Sequence, residues 1–254
     1  MKKEMSKKGL HMVVLLSRTI SPDATFVLES GQVFAEEKDF IINPPDAISL
    51  EEALQLKERY GGHITVVMVS KKEGEKQLRV ALAMGADEAV LIECNPNEQA
   101  PTNIAKKIKE YIQDVDYDLI LAGDFSTDGA SSQVGPRLAA SLDIPFFTKT
   151  IRIEEEEGNA LIRRNTDGDI ESFRVPFPIL ITIPQGLHVP RLPSLAGIMK
   201  AKKKPLLFKQ SQESLSHNTL SEYSYPQLKR KQTMIQGETW DKAVTLNKLL
   251  KSLQ

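Results

Sequence analysis

A stretch that combines glycine with hydroxyl-bearing residues is the part of this sequence best suited to hold a phosphate group. It runs from Gly123 to Val134, directly after an apolar run and directly before a helical pattern. Gly123 and Gly129 permit a close approach of the backbone, and hydroxyl groups lie beside the unpaired amides expected at a helix start. These hydroxyl groups belong to Ser126, Thr127, Ser131 and Ser132. Asp128 would repel a phosphate, so we predict that it accepts backbone amides instead.

The sequence lacks the motifs that would turn a bound nucleotide over. No Walker lysine follows the loop, no G-x-G-x-x-G follows the first apolar run, and no SGG-type pyrophosphatase loop appears. The G-x-S-x-G and H-E-x-x-H patterns of hydrolases are missing as well. We therefore assign no catalytic residue and expect binding without turnover. An ordinary connection between a strand and a helix is the alternative interpretation of the loop.

A second unusual segment, Pro190–Lys204, combines proline, leucine and lysine. Two prolines and a glycine keep it from forming a long regular element, and its lysines give it a positive field. Leu192 and Leu195 are therefore available to a partner with an acidic surface. A solvated connector is the plainer interpretation of the same residues.

The composition excludes several classes of function. The chain has 33 Lys and Arg against 34 Asp and Glu, a net charge of −1, so no global field points to nucleic acid or to a membrane surface. Cys94 is the only cysteine and the four histidines are scattered, so no metal site is expected. No apolar run reaches the length of a membrane span, and the basic start lacks the apolar core of a signal peptide. We expect an intracellular protein that does not insert into a membrane.

The elements that must position the two segments alternate between apolar runs and helical patterns, which predicts a parallel α/β sheet. Strands are predicted at 12–16, 63–69, 88–91 and 118–122. Helices are predicted through 50–56, 78–84, 104–112 and 134–142, the first opening with a capping box at Ser49–Glu52 and the second ending at Gly85. Because ligands of open parallel sheets bind outside the carboxyl ends of the strands, the glycine-rich loop lies where a ligand is expected.

The later part of the chain changes to a strand pattern and then becomes polar. Strands are predicted at 150–153, 160–164, 170–175 and 179–183, with a hairpin turn at 157–159 and an acidic edge strand. Beyond about residue 205 few residues are available for a core, until an amphipathic helix begins near Gly237. Its apolar side carries Trp240, Ala243, Leu246, Leu250 and Leu253. This helix is either a docking arm or an element that packs back on its own domain.

Several segments, in family order, resemble the electron transfer flavoprotein β-subunit family. The run Ala81–Asp87 matches the family's A-L-A-M-G-A-D without a gap, and Ile42–Asp46 with Leu50–Glu58 parallels its N-P-x-[DC] segment and the following helix. Val13–Arg18 parallels the end of its first strand. The two loops described above resemble its adenine-nucleotide loop and its partner-recognition loop. The similarity covers most of the chain.

The resemblance implies a Rossmann-like α/β domain of the adenine-nucleotide-binding type, with a small antiparallel extension and a C-terminal helical arm. We expect a flexible extension at 1–10, the domain at 11–205 with its recognition loop at 184–204, and an arm at 206–254 that docks on an α subunit. The implied heterodimer carries electrons on FAD, shared with the α subunit, from acyl-CoA or other flavin dehydrogenases to a quinone oxidoreductase or another acceptor. It would work in the cytoplasm, or in the mitochondrial matrix of a eukaryote.

The resemblance also implies site residues, matched position by position. AMP, as a structural nucleotide, would contact Leu15, Asn43, Pro44, Pro45, Asp46, Gly123, Asp124, Phe125, Ser126, Thr127, Asp128, Gly129, Ala130, Ser131, Ser132, Gln133 and Val134. Protein partners would contact Pro190, Arg191, Leu192, Leu195, Ile198, Met199 and Lys200. Of these, Leu195 matches the leucine that anchors in a hydrophobic pocket of the dehydrogenase.

The chain departs from the family pattern at several positions. Ser17 replaces a lysine, Gly123–Phe125 replaces G-[KR]-Q, and Ala130 replaces an acid. Gln133–Pro136 resembles the branch in which a second FAD replaces AMP and electrons are bifurcated, although Ala130 departs from that branch too; we favour AMP. Two alternatives of other classes are a homodimeric stress-type module that binds adenine nucleotides and an adenylate-transferring enzyme.

Overall fold

The computed structural model describes residues 9–95, 100–210, 223–225 and 234–252. Residues 1–8, which make up most of the predicted N-terminal extension, lie outside the described residues, as does Leu253 of the predicted apolar helix face.

The described residues form fourteen strands and six α-helices. The strands are β1 (Leu10–Leu16), β2 (Arg18–Ile20), β3 (Val27–Glu29), β4 (Gln32–Phe34), β5 (Phe40–Ile42), β6 (Gly62–Ser70), β7 (Glu88–Glu93), β8 (Leu119–Gly123), β9 (Phe146–Phe147), β10 (Thr150–Glu156), β11 (Asn159–Asn165), β12 (Ile170–Pro176), β13 (Ile179–Ile183) and β14 (Leu206–Gln210). The helices are α1 (Pro44–Tyr60), α2 (Glu75–Met84), α3 (Pro101–Ile112), α4 (Val134–Leu142), α5 (Leu195–Ala201) and α6 (Thr239–Lys251).

Seven strands build one parallel sheet in the order β14-β7-β6-β1-β8-β13-β9. Successive side chains of a strand point to opposite faces, so β1 contributes to two separate cores. Val14 and Leu16 pack in a cluster with residues of α1 and α2, whereas Val13 and Leu15 pack in a second cluster with residues of α3 and α4. Helices therefore cover both faces of the sheet, which confirms the predicted Rossmann-like α/β class.

The strand order reverses between β1 and β8. After β1 the chain adds β6 and β7 on one side, and then crosses back to place β8 on the other side of β1. The connections that leave the carboxyl ends of β1 and β8 run in opposite directions, and they open a crevice between them. This edge of the sheet is where a ligand is expected to bind.

A separate antiparallel sheet, β10-β11-β12, follows α4 and confirms the predicted extension. Its first hairpin turns at Glu157 and Gly158, whose φ angles of 49° and 78° are both positive, as in a type I′ turn. Ile153 and Ile162 bury one face, while the acidic strand β10 lies at the edge.

The structure differs from the expected boundaries at three places. Leu10 already belongs to β1, and residues 206–210 pair with β7 as the outermost strand of the central sheet, so the sheet extends past residue 205 into the segment predicted as an arm. Helix α1 begins at Pro44, not at a capping box; Ser49 lies in its second turn and donates to the Pro45 carbonyl. Two prolines start this helix because its first amides need no partner within it.

The C-terminal helix is the element with the least packing in the described chain. Every residue of α6 is exposed, and its Trp240 is 79% exposed. The helix predicted from the sequence is confirmed, and packing of its apolar residues back onto the described part of its own domain is not observed.

Candidate functional site

The first turn of α1 connects the crevice to the loop after β8. Asn43, which is buried, precedes the helix, and its carbonyl accepts the amides of Asp46 and Ala47 at 2.9 and 3.0 Å. The Asn43 side chain donates from Nδ2 to the Phe125 carbonyl at 2.9 Å and accepts the Thr127 amide at 3.1 Å. One amide side chain thus fixes the main chain of the glycine-rich loop at two points.

Asp46 makes a second link, across the point where the strand order reverses. Its Oδ2 accepts the Ser17 amide at 2.7 Å and the Ser17 hydroxyl at 2.6 Å, and its Oδ1 accepts the Gly123 amide at 3.0 Å. Burial raises the pKa of Asp46 to about 6, although these hydrogen bonds favour the carboxylate and oppose the shift. Ser17 therefore supplies two of these three donors to the carboxylate.

Gly123 is required for a different reason from the one that the sequence indicated. A Cβ there would lie 2.4 Å from Asp46 Oδ1 and 2.7 Å from Pro45 Cβ, so α1 can approach β8 only because the residue is glycine. Gly129 is exposed, and a Cβ there would meet only the Ser126 hydroxyl, at 3.2 Å. Gly123 therefore serves the approach of the helix, whereas space beside Gly129 is open to a ligand.

The loop between β8 and α4 is ordered by its own polar groups. The Asp124 carboxylate accepts the Thr182 hydroxyl at 2.8 Å, and the Gly129 amide donates to Asp128 at 2.6 Å. Asp128 therefore accepts a backbone amide, as predicted. Ala130 and Ser132 have left-handed φ angles of 47° and 52°, a costly conformation for residues other than glycine and one often found at ligand sites.

The loop leads into the amino end of α4, where the structure offers groups suited to an anion. Ser131 and Ser132 are exposed there, and the first amides of α4 belong to Val134 and Gly135. The buried hydroxyl of Thr127 has no hydrogen-bond partner among the described residues. These groups fit a phosphate, because the donors are available and the helix dipole favours negative charge.

The crevice brings together two of the predicted segments but not the side chain of Leu15. Asn43–Asp46 and the loop from Gly123 to Val134 meet through direct hydrogen bonds. Strand β1 ends one residue after Leu15, but the Leu15 side chain is buried in the core that faces α3 and α4. Sequence reasoning gave no role to Thr182, which holds Asp124, or to Arg137, whose guanidinium donates to Gln133 Oε1 at 3.0 and 3.1 Å. An arginine four residues after glutamine in a helix was the available signal for the second pair.

The predicted recognition loop presents its apolar residues to solvent. Leu192 and Leu195 are 89% and 78% exposed, and Ile198 and Met199 are exposed as well. Pro190 is half-buried and Lys200 is exposed, whereas the Arg191 side chain turns back onto α1. The loop thus has one part attached to the domain and one part available for contact.

Helix α5, which begins at Leu195, is firmly attached to α2. The Ser194 hydroxyl accepts the Gly197 amide at its start, and a Cβ on Gly197 would lie 2.4 Å from the Ala83 carbonyl. Arg79 donates to the carbonyls of Ala201 and Lys204, and the Lys204 ammonium donates to the last carbonyls around α2. Burial lowers the pKa of Lys204. These contacts make α5 a fixed support for the exposed residues.

No helix among the described residues is both long enough and apolar enough to cross a bilayer. Within the same residues, no three His, Cys, Asp or Glu side chains lie together in a way that would hold a metal ion.

The fold and the crevice define the class of protein: a Rossmann-like α/β domain with a hydroxyl-rich loop at the carboxyl edge of its sheet and an exposed apolar loop. The model of the electron transfer flavoprotein domain family matches residues 31–207. The chain is 40% identical to the electron transfer flavoprotein subunit beta of Bacillus subtilis over 252 residues, covering 96% of this chain and 98% of that protein. It is 32% identical to the protein of the same name from Syntrophomonas wolfei, covering 91% of each chain.

It is also 35% identical to the caffeyl-CoA reductase-Etf complex subunit CarD of Acetobacterium woodii, covering 70% of this chain and 69% of that protein. The chain belongs to the electron transfer flavoprotein β-subunit family. Members of this family are electron carriers and do not act as enzymes on their own.

Proposed function

We propose that this chain is the β subunit of a heterodimeric electron transfer flavoprotein that holds AMP as a structural nucleotide. The heterodimer would take electrons from flavin dehydrogenases, such as acyl-CoA dehydrogenases, and deliver them to a quinone oxidoreductase or another acceptor, in the cytoplasm or in the matrix of a mitochondrion. The observation that carries the proposal is the crevice at the reversal of strand order, where Asn43 and Asp46 fix a loop rich in hydroxyl groups.

The crevice supports a nucleotide phosphate on chemical grounds. The exposed hydroxyls of Ser131 and Ser132, the partnerless hydroxyl of Thr127 and the free amides of α4 supply hydrogen-bond donors and a favourable dipole. The Asp46 carboxylate is already occupied by three donors of its own chain, and the Asp124 carboxylate by Thr182. Both carboxylates therefore support the loop instead of facing the ligand.

The flavin, where bound, supplies the redox chemistry, and the chain's own residues bind, orient and dock. We assign the exposed helix α6 to contact with the α subunit, because its apolar residues find no cover within the described part of this chain. Trp240, Leu246 and Leu250 would be buried in that contact.

A second candidate is the branch in which a second FAD takes the place of AMP. The order Gln133-Val134-Gly135-Pro136 supports it, because Pro136 removes one amide from the first turn of α4 and so changes which donors the loop offers. The similarity to a subunit of a caffeyl-CoA reductase-Etf complex agrees with this candidate.

The deciding experiment is to co-express the chain with an α subunit, denature the purified complex, and quantify the released FAD and AMP by chromatography. One FAD with one AMP per heterodimer supports the shuttle. Two FAD without AMP would move the protein to the second branch. A stable homodimer on gel filtration that needs no α subunit, or ATP turnover above background, would contradict both and favour a nucleotide-signalling module or an adenylate-transferring enzyme.

A further inference from the structure

Arg191 lies one residue before Leu192, the first exposed leucine of the recognition loop, and its side chain contacts helix α1. Its main-chain amide and its Nε donate to Glu51 Oε2 at 3.1 and 2.9 Å, and its Nη2 donates to Glu51 Oε1 at 2.9 Å. Its Nη1 donates to Glu58 Oε1 at 2.6 Å. Two carboxylates of α1 thus hold the guanidinium and the backbone of this residue at four points.

Glu51, which accepts three of these four hydrogen bonds, is itself fixed in position. Glu51 is only 5% exposed and lies on a 17-residue helix whose neighbouring Leu50 and Leu54 are in the core. Although burial opposes its ionisation, the hydrogen bonds from Arg191 hold the pKa of Glu51 below its ordinary value. Both oxygens of the carboxylate engage the planar guanidinium, an arrangement that fixes orientation as well as distance.

A second contact holds the loop three residues earlier. His188 Nε2 forms a hydrogen bond with Oε2 of Glu52, the residue that follows Glu51 on α1, and the Glu52 side chain is buried. Between these anchors and the support of α5 on α2, Leu192 and Leu195 remain exposed. The loop is therefore fixed on both sides of the two leucines, while the leucines themselves have no cover.

We propose that Arg191 is a positioning residue, which with Glu51 holds the recognition loop in its docking conformation before a partner arrives. This assignment replaces the direct partner contact that the family resemblance implied for Arg191, and it rests on the electron-transfer function proposed above, with Leu195 as the residue that docks on the dehydrogenase. A short-lived contact gains affinity when its loop is already ordered, since ordering costs about 0.5–1.5 kcal/mol for each immobilised side chain. If the loop had to be ordered on binding, this free-energy cost would weaken the apparent affinity for the partner about two- to tenfold.

The test uses the complete heterodimer, co-expressed with its α subunit, as the substrate of a medium-chain acyl-CoA dehydrogenase supplied with octanoyl-CoA. Arg191→Gln is expected to raise the KM for the heterodimer about two- to tenfold, with kcat and flavin content unchanged. Arg191→Lys, which keeps the charge and loses the planar fork, is expected to have an intermediate KM. Arg174→Gln is the matched control, because Arg174 also faces two carboxylates, Glu156 and Glu157, but on the antiparallel sheet.

Glu51→Gln separates positioning from direct contact. If Arg191 positions the loop, Glu51→Gln raises the KM as Arg191→Gln does, and the double variant is no worse than either single variant. If Arg191 itself touches the dehydrogenase, Glu51→Gln leaves the KM unchanged, and the proposal fails. The double variant also guards against misfolding, because it leaves no unpaired carboxylate at the buried position.

Hydrogen exchange of peptides covering 187–200 gives a readout that does not depend on activity. Faster exchange in Arg191→Gln and Glu51→Gln than in Arg174→Gln is expected, and equal exchange would overturn the proposal. Leu195→Ala distinguishes a failure of the positioning role of Arg191 from a failure of the docking role of the loop. If it raises the KM while Arg191→Gln does not, only the positioning role is wrong; if neither variant changes the KM, the docking role of the loop falls and the positioning role falls with it.

Discussion

Replacing Asp46 by asparagine is the most direct perturbation of the crevice, because one carboxylate joins Ser17 to Gly123. Burial raises the pKa of Asp46 from its ordinary value of 3.8 to about 6 in the folded protein. Between these two pH values the folded state holds a proton that the unfolded state has lost. By linkage, the stability contributed by this group is greatest below pH 4 and decreases as the pH rises to about 6.

The magnitude follows from the size of the shift. A change of about two pH units at about 1.4 kcal/mol per unit gives about 3 kcal/mol, lost as the pH rises from 4 to 7. The asparagine variant has no proton to lose, so the free energy of unfolding of the native protein is expected to fall by that amount relative to the variant. The pKa of Glu51 is held below its ordinary value of 4.5, so the stability contributed by Glu51 is lost as the pH falls below that value.

The assay is urea denaturation followed by circular dichroism at half-unit steps from pH 4 to pH 7.5, for the native protein and for Asp46→Asn. Asp167→Asn, an exposed substitution in the turn between β11 and β12, is the matched control. Comparing variants at each pH cancels the titration of all other groups. Parallel curves for the native protein and Asp46→Asn would refute the assignment of a raised pKa, and a carboxyl ¹³C titration of Asp46 in the native protein measures the same pKa directly.

Four further substitutions test the docking loop, the glycine-rich loop of the crevice and the attachment of α5. Leu195→Ala removes an exposed side chain that is expected to be buried on docking. The KM for electron transfer from an acyl-CoA dehydrogenase should therefore rise by about tenfold, a loss of roughly 1–2 kcal/mol of binding free energy, with flavin content unchanged. Leu207→Ala, which changes an exposed leucine on β14, is the control, and equal kinetics for the two variants would count against a docking role of the loop. Gly123→Ala places a Cβ against Asp46, so both the melting temperature and the AMP retained per heterodimer should fall. Gly129→Val crowds only the open side of the loop, so it should lower the retained AMP without lowering the melting temperature. Thermal denaturation and chromatography of the released nucleotide measure these effects, and full retention of AMP in both variants would contradict the site. Lys204→Met removes two hydrogen bonds to main-chain carbonyls beside α2. The free energy of unfolding, measured by denaturation, should therefore fall by about 1–3 kcal/mol. An unchanged stability would show that the ammonium adds nothing to the attachment of α5.

The central sheet could be predicted because its strands carry their signal locally. Val66 and Val67 lie in a continuous apolar run, and Gly85, with φ of 142°, ends α2 where the apolar period of that helix stops. Strand β14 could not be predicted in the same way. Leu207 and Phe208 are partly exposed at the sheet edge, so the strand has no buried alternation, and only its pairing with β7 makes it a strand.

The candidate site could be predicted as two segments but not as one structure. The hydroxyl-rich loop was visible in the sequence, whereas Asn43, which precedes α1, and Asp46, in its first turn, entered through the family pattern. The contact between them joins residues 77 positions apart, and no local pattern reports that Gly123 must lack a side chain for the sake of Asp46. Glu51 offered a better signal: a carboxylate between core residues of a helix requires a partner that donates hydrogen bonds to it, and the sequence does not say that this partner is Arg191.

Helix α1 contacts both of the proposed functional surfaces. Asp46 in its first turn holds the crevice, and Glu51 holds Arg191 five residues, or about 7.5 Å of helix, further on. A change that displaces α1 should therefore disturb nucleotide binding and docking together, whereas a change confined to the open side of the glycine-rich loop should disturb nucleotide binding alone. Gly129→Val and Gly123→Ala provide this contrast, because only the second pushes against α1. If Gly129→Val raised the KM for the dehydrogenase as much as Gly123→Ala, the glycine-rich loop itself would take part in docking. Helix α1 would then not be the element that couples nucleotide binding to docking.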